Sequence, residues 1–198
     1  MARGVRETQG SEVRARIMHS ARLEILKNGT TGLRVAEVAA GAGSSITQIY
    51  RHFRDRDGLI ARVLGDMYEE TLEQTTRAYV DSLAGVDPIT VDDLVAHLPS
   101  PSSPEVRANQ ELRNQTLAAL VTNADLRARI EEVTQAHVDL WNSELDSIER
   151  RMAPGQRFDR RVFTIMISQT THQYVSLMGD KAFSDDEYRR FVRDKLIA

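Results

Sequence analysis

Apolar residues recur with the period of an α-helix along almost the whole chain, and no segment alternates apolar and polar residues long enough to make a strand. One stripe runs through Leu59, Ile60, Val63, Leu64, Met67, Tyr68, Leu72, Tyr79, Val80 and Leu83. Another runs through Leu126, Ile130, Val133, His137, Leu140, Trp141, Leu145, Ile148 and Met152. Such stripes must be covered by other helices, so the chain is predicted to be all-α. Breaks at 28–32, 41–45, 54–57, 85–88, 99–104, 123–125, 154–155 and 179–184 leave about nine helices. Ser103-Pro104-Glu105 and Ser184-Asp-Asp-Glu187 read as helix starts, the second as a capping box. Asn28-Gly29 reads as a left-handed helix stop after the stripe Val13, Ile17, Ala21, Ile25.

A chain of 198 residues can bury enough surface to fold without disulfides or a metal. It has no Cys, which excludes thiolate metal sites, redox dithiols and a Cys nucleophile. Met1–Gly10 is polar and is expected to carry no secretory signal, and no apolar run is long enough to span a membrane, so a cytoplasmic protein is expected. The net charge of −3 hides an asymmetry: residues 1–65 hold 11 Lys+Arg against 6 Asp+Glu. The remainder is acidic, a distribution that points to a polyanion-facing N-terminal part.

That basic part reads as three short helices at about 11–28, 35–41 and 45–52. The last two are joined by Gly41-Ala-Gly43-Ser44, a tight turn, with Ser45 as the N-cap of the second. Two short helices around a Gly-containing turn are a helix-turn-helix pattern. Ile49 and Phe53, at i and i+4, can anchor the second helix to Leu33, Val35 and Val38, leaving Ile46, Thr47, Gln48, Tyr50 and His52 outward. Gln can bond adenine bidentately, Thr offers a hydroxyl or a methyl, Ile46 can touch a thymine methyl, and Tyr50 and His52 can donate to phosphate. Arg51, Arg54 and Arg56 supply cations for counterion release, and Asp55 is expected to cap the next helix.

From about residue 13 to 64 the chain resembles the DNA-binding domain of tetracycline-repressor-like (TetR-type) transcriptional regulators. The similarity is strongest over Ala42-Gly43-Ser44-Ser45, Ile49-Tyr50-Arg51-His52-Phe53 and Asp55-Arg56-Asp57-Gly58-Leu59. The resemblance implies that Tyr50 and Arg56 contact phosphate and that residues 46, 47 and 48 face bases. Two positions depart from the family pattern: Ser44 stands where an apolar residue is common, and Arg34 where a Ser or Thr cap is usual. Arg34 thereby becomes a candidate phosphate contact. The expected DNA-binding set is Arg34, Ser45, Ile46, Thr47, Gln48, Tyr50, Arg51, His52 and Arg56.

The expected organisation is a helix-turn-helix domain over 1–55 and a helical ligand-binding and dimerisation domain over 56–198. The expected function is a transcriptional regulator, a repressor released from a palindromic double-stranded DNA operator by a small, largely apolar effector. Helices at 159–178 and 184–197 are apolar over more than one face and are expected to form a homodimer interface, which would match two half-sites one helical turn apart. Leu117, His137, Trp141, Met166, Gln169 and His172 are candidate effector contacts. An alternative stands beside this for the same residues: His137 as a satisfied core histidine, Trp141 as core filling and Gln169 as an inter-subunit hydrogen bond. For the whole chain, the rival reading is a helical protein-interaction module. No catalytic residues, metal or cofactor are expected. Gly41-Ala-Gly43 lacks a preceding strand and a third glycine, the chain has no Gly-x-Ser-x-Gly, Walker A or His-Glu-x-x-His, and its five histidines are scattered.

Overall fold

The computed structural model describes residues 2–100, 103–167 and 184–196; the side chains of 2–9 and of Met166 are not among those described. Among the described residues are nine helices and no strand: α1 (Ala2–Gly32), α2 (Val35–Gly41), α3 (Ile46–Phe53), α4 (Arg56–Ser82), α5 (Val91–Ala96), α6 (Pro104–Leu120), α7 (Ala124–Arg150), α8 (Arg160–Ile167) and α9 (Asp185–Leu196). The all-α class is as expected. α1 starts well before residue 11, over a polar first segment that carries no apolar stripe to mark it in sequence. At Gly29 (φ 69°, ψ 173°) the backbone leaves the helical region, the stop expected at Asn28-Gly29, and one further turn follows to Gly32. Of the helix expected at 159–178, the part beyond Ile167 lies outside the described residues.

The chain divides into two compact units. The first comprises residues 1–70 and 114–134. Its core is built from Ile17, Ala21 and Ile25 on α1, Val38 and Ala39 on α2, Ile49 and Phe53 on α3, and Leu59, Ile60, Val63 and Leu64 on α4, all buried. Leu33, just before α2, is buried with them. α1 packs against both α2 and α3. The Ser20 hydroxyl donates to the Val38 carbonyl (3.0 Å), so even the buried polar group on the α1 face is satisfied.

The second unit comprises residues 71–113 and 135–198. Its described core gathers Tyr79, Leu83, Ile89, Val91, Leu94, Val95, Leu98, Trp141, Leu145, Ile148, Phe163, Tyr188, Val192 and Leu196. Tyr79, Trp141 and Phe163 meet ring to ring at 5.9–6.2 Å. The polar ends are paired: the Tyr79 hydroxyl donates to the Leu94 carbonyl (2.9 Å) and the Trp141 indole N–H to the Thr164 hydroxyl (3.1 Å). α9 packs against α5 and α8 and starts with the expected capping box, in which the Ser184 N–H donates to Glu187 (2.9 Å) and the Glu187 N–H to the Ser184 hydroxyl (3.3 Å). Arg151 donates to the carbonyls of Leu83 and Val86 (2.6 Å each), just beyond the end of α4.

Candidate nucleic-acid interface

The turn between α2 and α3 is set by local chemistry. Gly43 has φ +57°, a conformation open to glycine at no steric cost, and the Ser44 N–H returns to the Ala39 carbonyl (2.9 Å). Ser45 is extended and caps α3 in a capping box: its hydroxyl accepts from the Gln48 N–H (3.2 Å), while Gln48 Oε1 accepts from the Ser45 N–H (3.2 Å). The Ser44 hydroxyl donates to the same Gln48 oxygen (2.9 Å). The departure at position 44 therefore supports the start of α3 through Gln48 instead of packing apolar surface.

α3 then splits cleanly into two faces. Ile49 and Phe53 are buried, as their spacing predicted, whereas Ile46 and Tyr50 are 43% and 40% exposed and Thr47 and Arg51 are exposed as well. An eight-residue helix with an isoleucine, a threonine, a tyrosine and an arginine on its outer face offers groups for base edges and phosphate side by side.

The junction from α3 to α4 is tight. Arg54 has φ 70°, the one described non-glycine residue in the left-handed region, and its N–H donates to the Tyr50 carbonyl (2.8 Å). Asp55 caps α4 by accepting from the Gly58 N–H (2.7 Å), a bond that with the Arg54 guanidinium lowers its pKa. A Cβ on Gly58 would fall 2.1 Å from the Phe53 carbonyl oxygen, so the first turn of α4 can press against the end of α3 only with glycine there. Asn123, buried before α7, donates to the Asp57 carbonyl (2.9 Å) and accepts from the Leu126 N–H (2.9 Å). It caps α7 and ties that cap to the first turn of α4. Asp125 on α7 pairs with Arg54. Asn123 is legible in the sequence as a helix break; its partner 66 residues away is not.

The cations sort into committed and open ones. Arg56 donates to the carbonyls of Thr30 (2.7 Å), Thr31 (3.1 Å) and Leu33 (3.2 Å), and so clamps the end of α1 beyond the Gly29 break. Its donors are drawn inward to orphaned helix carbonyls, which compete with any phosphate for them. Arg54 is held by Asp55 and Asp125. Arg51, by contrast, is exposed and makes no ion pair among the described residues, and Arg34, at the N-cap of α2, is exposed and makes no side-chain cap bond. Arg14 on α1, which sequence reasoning did not single out, lies over the Phe53 ring at 5.7 Å. Arg14, Tyr50, Arg51 and His52 line an open cleft of about 550 Å³. Burial, then Arg51 and Arg14, lower the His52 pKa and favour the neutral imidazole; its Nε2 is buried without a partner. Replacing Arg56 by Ala should lower stability by about 1–3 kcal/mol by uncapping three carbonyls. Chemical denaturation of the variant checks this, and an unchanged midpoint would return Arg56 to the role of a free phosphate contact.

The candidate effector contacts fall in both units and partly outside the described residues. Leu117 is exposed on α6 in the first unit, while His137 and Trp141 stand one turn apart on α7 in the second. Trp141 belongs to the core, its indole N–H already spent on Thr164. His137 is half-buried, its Nδ1 lacks a partner, and burial lowers its pKa against the opposing pull of Glu73. The Met166 side chain, Gln169 and His172 lie outside the described residues. Among the described residues no group of His, Asp and Glu is placed to hold a metal ion, and no helix is long and apolar enough to cross a membrane.

Residues 17–63, which hold α2 and α3, match the family described as bacterial regulatory proteins, tetR family. The HTH-type transcriptional regulator Rv1816 of Mycobacterium tuberculosis is 28% identical over 81 residues, covering 41% of this chain; the match spans about a third of that protein's length. The fold is similar to that of a Rhodococcus sp. protein assigned to the TetR-family transcriptional regulators (TM-score 0.61, 22% identity, 95% of this chain and 100% of that one). It is also similar to that of a transcriptional regulator from Saccharomonospora viridis solved in complex with choline (TM-score 0.60, 17% identity, 93% and 95%). The helix-turn-helix of the first unit thus lies within the residues that match the tetR family, and the whole chain shares its fold with these regulators.

Proposed function

We propose that this protein is a DNA-binding transcriptional regulator, a repressor that sits on a palindromic operator as a homodimer and leaves it when a small, largely apolar effector binds. The observation that carries the reading is the two-faced α3, anchored by buried Ile49 and Phe53 and presenting Ile46, Thr47, Tyr50 and Arg51 outward beside Arg14. Ile46 and Thr47 read bases; Tyr50, Arg51, Arg34 and Arg14 hold phosphate. The functional division falls at 55/56, with α4 the one continuous helix that leaves the α3 junction.

The homodimer is assigned to the segments 159–178 and 184–197. Support comes from Ile165 and Phe191, which remain 59% and 44% exposed although α8 and α9 also feed the core of their own chain. Effector binding draws support from the choline-bound neighbour and from the unpartnered, half-buried His137 as an orienting group. The effector acts by binding the DNA-free form more tightly; a 100-fold loss of DNA affinity needs about 2.7 kcal/mol of coupling.

Selection of bound sequences from random DNA tests the proposal. Enrichment of inverted repeats with half-sites about 10 base pairs apart is expected, with loss of both dimer and enrichment in an Ile165→Glu/Phe191→Glu variant. No enriched sequence, or enrichment by a monomer of unpaired sites alone, would overturn it.

A further inference from the structure

We propose that Ser44 is a specificity-determining residue: by holding the Gln48 carbonyl oxygen inside the cap of α3, it turns the Gln48 side chain into a donor-only reader that selects guanine over adenine at one base pair of each half-site. This rests on α3 being the recognition helix.

The amide orientation is fixed by its partners. The Ser45 backbone N–H can only donate, so the atom 3.2 Å from it must be the Gln48 oxygen. The Ser44 hydroxyl supplies a second hydrogen to that oxygen at 2.9 Å. A carbonyl oxygen has two lone pairs, and both are thereby used. The NH₂ group remains as the part of Gln48 with hydrogens to give. Bidentate adenine recognition needs the oxygen to accept from the adenine N6 amino group while the NH₂ donates to N7. Here the oxygen could do so only by giving up the Ser44 hydroxyl or the Ser45 N–H, and the NH₂ would face the N6 donor. Guanine instead presents two acceptors, N7 and O6, in the major groove. A donor-only amide matches guanine and mismatches adenine.

Ser44 controls the choice because the backbone bond from Ser45 alone leaves one lone pair open. Without the Ser44 hydroxyl, the Gln48 oxygen regains an acceptor site. The cap itself survives, since Ser45 still accepts from the Gln48 N–H (3.2 Å). Ser44 is thus a positioning residue, and its effect should appear in base preference more than in stability.

The experiment is selection from random duplex DNA with the full chain and with Ser44→Ala, Ser44→Thr and Gln48→Ala, each checked for an intact thermal transition. The position under Gln48 is the base pair whose preference disappears in Gln48→Ala. The wild type should prefer guanine there by about tenfold over adenine. Ser44→Ala should shift that position toward adenine, and Ser44→Thr, which keeps the hydroxyl, should retain guanine. Adenine preferred by the wild type, or a Ser44→Ala profile identical to the wild type, would overturn the assignment while leaving α3 as the recognition helix. A Gln48→Ala profile unchanged at every position would overturn it too. Absence of any enriched sequence with the wild type would bring down the DNA-binding reading and this inference with it.

Discussion

Phe163→Ala should destabilise the second unit by about 3–5 kcal/mol, the range for emptying a buried aromatic site. Phe163 is fully buried and touches Phe158 (5.2 Å), Tyr79 (5.9 Å) and Trp141 (6.0 Å), so the void would be lined by rings whose own partners hold them in place. The Tyr79 hydroxyl is fixed on the Leu94 carbonyl and the Trp141 indole on Thr164, which restrains collapse of the site. Urea denaturation followed by tryptophan fluorescence reads the unit directly, because Trp141 is the only tryptophan of the chain and lies in that core. A loss below about 1 kcal/mol would mean that the rings close over the gap and that the aromatic cluster is not the keystone described.

Gly58→Ala should act in the first unit. Its added carbon meets a backbone carbonyl 2.1 Å away, and backbone gives less readily than a side-chain tip. Relief requires the end of α3 and the first turn of α4 to part, at about 1–3 kcal/mol. Because the Asp55 cap and the Asn123 bond to Asp57 share that turn, the displacement reaches the pose of α3. A folded Gly58→Ala variant should therefore bind a selected operator at least about tenfold more weakly than the wild type, whereas alanine at an ordinary helix position would gain stability. Operator titration and a denaturation curve on the same preparation measure both effects. Unchanged values for both would show that the junction has slack that the geometry denies.

What was legible in the sequence was what depends on near neighbours. Ile49 and Phe53 share a face by helical spacing alone, Ser45 and Ser184 announce caps, and Gly43 marks a turn, so α3 and the edges of α9 were foreseeable. The bonds of Arg56 to the carbonyls of Thr30, Thr31 and Leu33 are not legible in sequence, because a cation beside a recognition helix looks the same there whether it faces phosphate or folds back. Trp141 sat on an apolar stripe, which is compatible with either a pocket wall or a core; only Thr164, 23 residues away, decides it. Gln48 was expected to be free for adenine, and the Ser-x-x-Gln spacing that ties it back as a capping box was there to be read at Ser45. Asn123 and Asp125 act across more than 60 residues, beyond any local pattern.

The central claim is that the outer face of α3 reads sequence. The most direct measurement is fluorescence anisotropy with two labelled duplexes, a selected operator and a scrambled sequence of the same length, titrated with wild type and with Ile46→Ala/Thr47→Ala. Loss of two base contacts at about 1–3 kcal/mol each should weaken operator binding by roughly one and a half to four orders of magnitude and leave scrambled DNA, held through Arg14, Tyr50 and Arg51, bound as before. Retention of full operator preference by the double variant would place base reading on another surface and contradict the assignment of α3.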